Sequence, residues 1–237
     1  MNARRVLLLP GTANPDGSEN YRLAYGLIKG EAENRKCFYD IVCYPGWGTK
    51  GSGLLNYHTA LAAARQKCRA FGPEWLIGRS LGCDVALGLL STGESWVKKC
   101  KGAALWGAST SEDLQRIWPT AKEKQAEIGS YEKNYKTFVA PDYFESIPPF
   151  EERIASAACN LRLARGAEDW DNTPDGLLTL GQIHDQAQPS FRVEVVKAIP
   201  GLEHTVTGKE SSEAVRAYLD CLFDLFTPKS KSHRPFP

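Results

Sequence analysis

Residues 75–82 read Trp75-Leu76-Ile77-Gly78-Arg79-Ser80-Leu81-Gly82, followed directly by Cys83-Asp84-Val85-Ala86-Leu87-Gly88-Leu89-Leu90. An apolar run of strand length leads into Gly-x-Ser-x-Gly, and the residues behind it have a helix-compatible pattern. Strand, sharp turn, helix is the setting in which this pentapeptide acts as a nucleophile elbow. Such a turn strains the backbone at the serine. Glycine is therefore expected at 78 and 82, where a side chain would collide with the neighbouring strand or helix. The Ser80 hydroxyl is lifted clear of the sheet, and the Leu81 amide, at the helix N-terminus, faces the place where an oxyanion would form. The pentapeptide is common by chance; its flanks give it weight.

Outward from the elbow, apolar runs alternate with helical patterns, which predicts a mainly parallel, doubly wound α/β sheet of about six strands. The strand candidates are Arg5–Leu9, Tyr39–Tyr44, Glu74–Ile77, Gly102–Trp106, Asn160–Ala164 and Arg192–Ala198. Tyr21–Gly30, Leu54–Phe71, Cys83–Leu90, Asp175–Gln186 and Ser211–Phe226 have helical spacing. Residues 109–158 break the alternation. They hold no convincing strand, yet carry Trp118, Tyr131, Tyr135, Phe138, Tyr143, Phe144 and Phe150. An aromatic-rich insertion between two strands reads as a helical cap or lid, the alternative being an extension whose aromatics pack on the core. Residues 227–237, with three prolines and three basic residues, are expected to form a flexible tail.

The 237 residues suit one domain, 1–237, with the insertion inside it. A formal charge of +1 gives no electrostatic case for nucleic acid or an anionic membrane surface. No apolar stretch reaches the roughly 20 residues of a membrane span. Val6-Leu7-Leu8-Leu9 is too short for a signal peptide core and leads into a Pro-Gly-Thr turn, so it reads as a first strand. Seven scattered cysteines with no Cys-x-x-Cys pair fit reduced thiols in a cytoplasmic protein better than a disulfide framework or zinc site. No phosphate-cradling loop is present, and no cofactor or metal is expected.

A serine hydroxyl needs a base, and the base needs an orienting acid. Four histidines are available. His58 reads as a surface or capping residue at a helix start, His184 as solvent-facing on a helix, and His233 lies in the tail. His204 stands on a loop after the strand that ends before Pro200-Gly201, at the carboxyl end of the sheet, where open α/β folds place their sites. The acid should come from the loop after the preceding strand, where Glu168, Asp169 and Asp171 crowd together. Asp169, three residues after Gly166, is preferred, and Asp171 is well placed to cap the following helix.

With these residues in order the chain resembles the α/β-hydrolase family over most of its length. The sequence order Ser80, Asp169, His204 matches nucleophile, acid and base of that fold. Gly166, Asp169 and Pro174 match its Gly-x-x-Asp-x-x-x-x-Pro pattern, and Pro200, Gly201 and His204 match Pro-Gly-x-x-His. The family's His-Gly after the first strand is replaced by Pro10-Gly11-Thr12. Its Asp-x-x-Gly-x-Gly turn is echoed by Cys43-Tyr44-Pro45-Gly46-Trp47-Gly48. The usual N-terminal hairpin is absent from the pattern, and residues 109–158 fall where the family places its cap. The resemblance implies a serine esterase working through an acyl-enzyme, with the amides of Thr12 and Leu81 as oxyanion hole and a small-molecule ester as substrate. A thioesterase acting on acyl-CoA or acyl-carrier protein is the alternative, and a catalytically idle binding module the alternative of another class. Trp118, Tyr135 and Phe144 are candidate substrate-binding residues of the cap.

Overall fold

The computed structural model describes residues 4–12, 19–47, 53–113, 116, 138–169 and 173–226. Six strands, β1 (Arg5–Leu9), β2 (Phe38–Ile41), β3 (Trp75–Arg79), β4 (Gly102–Trp106), β5 (Asn160–Gly166) and β6 (Val193–Ile199), form one sheet in the order β2-β1-β3-β4-β5-β6. Every neighbouring pair is parallel. All strand carboxyl ends therefore open toward the same side, and the order reverses between β1 and β3, the position where such sheets place a ligand crevice.

The four inner strands are short, largely buried runs, the edge strands β2 and β6 are more open, and the alternation of side chains divides the core in two. Val6, Leu8, Ile77, Ala104 and Trp106 point to one face, under α1 (Glu19–Asn34) and α6 (Ser212–Phe223). Leu7, Leu9, Leu76, Ala103 and Leu105 point to the other, under α2 (Tyr57–Phe71), α3 (Leu81–Leu90), α4 (Phe150–Ile154) and α5 (Pro174–Ala187). This is the expected doubly wound arrangement. α3 is buried along its whole length, as its unbroken apolar composition requires.

Helix limits follow the caps more than the hydrophobic pattern. α2 begins at Tyr57, not Leu54, because Asn56 and Thr59 form a reciprocal capping box. Leu55 is instead drawn into a bridge with the returning insertion, its amide donating to the Phe138 carbonyl at 2.7 Å. α5 is capped by Thr173, whose hydroxyl accepts from the Gly176 amide. The capping role expected of Asp171 is thus filled two residues later, and Asp171 itself lies outside the described residues. His184 differs most from expectation. Its ring is fully buried, with Nε2 2.9 Å from the Ala157 carbonyl, because α5 turns that face onto the segment entering β5. Among the described residues, no helix is long and apolar enough to cross a membrane.

The end of the insertion is tied down by a buried ion pair. Arg153 on α4 donates to Asp84 Oδ1 at 2.7 Å and to the Asp84 carbonyl, while its guanidinium lies over the rings of Tyr57 and Phe150. Burial pushes the Asp84 carboxyl above its usual range even with this partner. A raised folded-state pKa means that the ionised carboxylate costs stability at neutral pH, a cost that disappears as pH falls through that pKa. Arg153→Met should therefore lose about 3–5 kcal/mol at neutral pH. Urea unfolding across the acidic range should show the deficit narrowing as Asp84 takes up a proton. A pH-independent deficit would assign the loss to packing.

Candidate active site

Ser80 has φ 50° and ψ −124°, a left-handed conformation costly for any residue with a Cβ. It persists because three backbones close around it. A Cβ on Gly82 would stand 1.9 Å from the Leu9 carbonyl oxygen, and one on Gly78 would stand 2.7 Å from the Gly82 oxygen. The Ser80 amide donates to the Trp106 carbonyl at 3.0 Å, and the Cys83 amide donates to the Ser80 carbonyl at 2.7 Å, which starts α3. Leu81 is the first residue of that helix.

The loop after β1 lies directly against this turn. A Cβ on Gly11 would be 3.2 Å from Ser80 Cβ and 3.7 Å from its Oγ. Thr12, the next residue, is anchored twice. Its carbonyl accepts from Trp47 Nε1 at 3.2 Å, and its Oγ1 is 2.5 Å from the Tyr143 hydroxyl. Tyr143 belongs to the insertion, so this segment meets the loop beside Ser80. Its ring packs edge-on against Phe144, itself partly buried on the core. Phe150 is fully buried, a core residue of α4. Trp118 and Tyr135 lie outside the described residues.

The loops after β5 and β6 supply a carboxylate and an imidazole. Asp169 is 1% exposed, and its Oδ2 is 3.0 Å from His204 Nδ1. Arg165 Nη2 donates to the Asp169 carbonyl. Glu168 turns away, its Oε1 accepting from the Gly201 amide at 3.2 Å. Of the two described carboxylates in this loop, Asp169 is the one that meets His204. A Cβ on Gly166 would fall 2.0 Å from the Leu202 oxygen, so glycine lets the two loops run side by side. His58 is exposed at the start of α2, away from this group, and His233 lies outside the described residues.

Gly107 is a further residue of this group. It follows Trp106, whose carbonyl holds the Ser80 amide, and a Cβ there would lie 2.7 Å from His204 Cε1. The imidazole thus rests on the backbone one residue from the anchor of Ser80. A serine on a strained turn and an imidazole on a buried carboxylate are thus brought to the same end of the sheet. Among the described residues, no cluster of three or more His, Cys, Asp or Glu side chains is arranged to hold a metal ion.

No protein-family model matches the sequence, and no curated protein matches it. Solved structures do. Alpha/beta hydrolase domain-containing protein 10 from mouse superposes with a TM-score of 0.62 at 14% identity, over 95% of this chain and 91% of its own. The N-formylmaleamic acid deformylase of Pseudomonas putida S16 gives 0.60 at 14% identity, over 93% and 91%. This chain has the α/β-hydrolase fold. The esterase domain of a Rhodothermus marinus protein shares it, with a TM-score of 0.58 at 15% identity over 92% of this chain and 83% of that domain.

Gly107 combines φ 70° with its position under the imidazole. Gly107→Ala should push the His204 ring by about 1 Å, toward an ordinary carbon–carbon contact. A crystal structure of the variant should show a lengthened His204–Asp169 hydrogen bond; an unmoved ring would contradict this reading.

Proposed function

We propose that the protein is a serine hydrolase that cleaves a carboxylic ester of a small-molecule or acyl substrate through a covalent acyl-enzyme. The observation that carries this reading is the 3.0 Å contact between His204 Nδ1 and the buried Asp169 carboxylate, set against the strained Ser80 turn. The esterase domain and the deformylase named above share the fold, which is compatible with acyl chemistry and does not choose the substrate.

His204 Nε2 takes the Ser80 proton as Oγ attacks the ester carbonyl. Asp169 accepts from Nδ1–H, fixing the tautomer that leaves Nε2 free as a base and stabilising the imidazolium formed. The carbonyl oxygen becomes an oxyanion held by the amides of Leu81 and Thr12, donors of a kind worth about 3–4 kcal/mol each when removed. The tetrahedral intermediate collapses, the alkoxide leaves with the proton from His204, and the acyl group stays on Ser80. Water, deprotonated by His204, then attacks the acyl-enzyme and releases the acid. All seven cysteines are free thiols, which suits a reducing, cytoplasmic setting.

Residues 109–158 serve in this reading as a cap over the site. The Tyr143–Thr12 contact supports it, because a segment that touches the oxyanion loop is placed to shape the acyl pocket. Trp118, Tyr135 and Phe144 are its proposed substrate-facing aromatics.

Ser80→Ala should lower kcat on p-nitrophenyl esters by about 10⁶-fold while leaving the thermal midpoint near wild type. Asp169→Asn should cost about 10⁴-fold through the wrong imidazole tautomer, with Glu168→Gln and Asp171→Asn costing far less. A Ser80→Ala enzyme retaining more than about a hundredth of the activity would refute the mechanism, since a lost nucleophile leaves far less.

For the cap, Phe144→Ala should change the ratio of kcat/KM for short and long acyl esters, with stability altered by no more than about 1–2 kcal/mol. Equal losses on all esters in step with the melting temperature would make Phe144 a core residue only.

A further inference from the structure

Arg79, the second residue of the Gly-x-Ser-x-Gly turn, is only 3% exposed, an unusual place for a permanent cation. Its Nη2 donates to the His204 carbonyl at 3.1 Å and to Thr205 Oγ1 at 3.4 Å. Trp106 Nε1 donates to the same His204 carbonyl at 3.0 Å. One backbone oxygen in the loop after β6 thus takes donors from the ends of both β3 and β4. The guanidinium also stands over the Tyr25 ring, 5.4 Å from its centroid, and the Tyr25 hydroxyl accepts from the Gly11 amide at 3.3 Å. Gly11 lies against Ser80.

We propose that Arg79 is a positioning residue. It holds the His204 loop, and through Tyr25 the Gly11–Thr12 loop, in fixed relation to the serine it precedes. This inference rests on the triad reading above. Its physical basis is distance along the sheet. β6 is the edge strand, and β4 and β5 separate it from β3, so the loop bearing His204 has no sheet contact with the elbow. Gly201 and Gly208, with φ 74° and 86°, bracket that loop with residues of high backbone freedom. Errors of about 1 Å in such a base are costly. A planar guanidinium with several N–H groups reaches two loop acceptors at once while standing over an aromatic ring, a combination poorly matched by an ammonium. A buried cation is costly unless it is hydrogen-bonded, and the two bonds its Nη2 makes both go to the loop that carries the base.

The test compares wild type with Arg79→Met and Arg79→Lys. Four quantities are measured: kcat and KM on p-nitrophenyl butyrate, the thermal midpoint, and the downfield proton resonance of His204 Nδ1–H bonded to Asp169. Arg79→Met should lose about 100-fold in kcat with little change in KM. Its Nδ1–H resonance should broaden or vanish well below the melting temperature. Arg79→Lys, which keeps the charge and most of the buried volume, should fall between the two. It also keeps the test available if the methionine variant fails to fold. A folded Arg79→Met with wild-type kcat and an undisturbed resonance overturns the proposal, as does a kcat loss matched only by the unfolded fraction. The resonance separates this inference from the triad reading. Wild type without turnover defeats the triad reading, yet loss of the resonance in Arg79→Met would still show that Arg79 positions the ring.

Discussion

The backbone at Ser80 is held where few residues with a side chain go, and the surrounding structure is arranged to keep it there. A left-handed serine costs about 1–3 kcal/mol, which the contacts around it must over-determine. They do so by closeness: Gly78 and Gly82 let β1, β3 and the start of α3 approach to distances that no Cβ would permit. The same closeness brings Gly11 onto Ser80, so one steric solution places both the hydroxyl and the loop that carries Thr12. The Trp106 carbonyl adds the link to β4 by accepting from the Ser80 amide and from Cys83 Sγ.

The all-parallel sheet does the rest by sending every strand's carboxyl end in one direction. Loops separated by more than a hundred residues in sequence meet there. Asp169 is fixed by Arg165 and by its own loop, His204 by Gly107 beneath the ring and by Arg79 and Trp106 at its carbonyl. The insertion is joined to this assembly from two sides, by Arg153 on Asp84 and by Tyr143 on Thr12. Its described part is therefore a packed continuation of the core that also reaches the site.

Much of this was legible in the sequence because periodicity and order are local signals. Two strands, Arg5–Leu9 and Gly102–Trp106, have the limits expected of them, and the other four are displaced by a few residues at most. The errors have physical reasons. Leu54–Leu55 looked helical by pattern, but Asn56 with Thr59 offered a stronger helix start, and Leu55 found a partner in the insertion. A polar side chain on an amphipathic helix usually faces solvent, which is the expectation for His184; here a single carbonyl, Ala157, receives it inside the core. Arg79 and Gly107 were invisible as site residues for another reason. Their meaning lies in contacts with His204 across the fold, more than ninety residues away in sequence, and no spacing encodes such a contact.

The most direct test of the account is intact-protein and peptide mass spectrometry after reaction with a fluorophosphonate, which labels only a serine activated by a neighbouring base. The account predicts one phosphonyl group per chain, carried by Ser80, and none after His204→Ala. Labelling at another serine, or unlabelled wild type in its folded state, would contradict it.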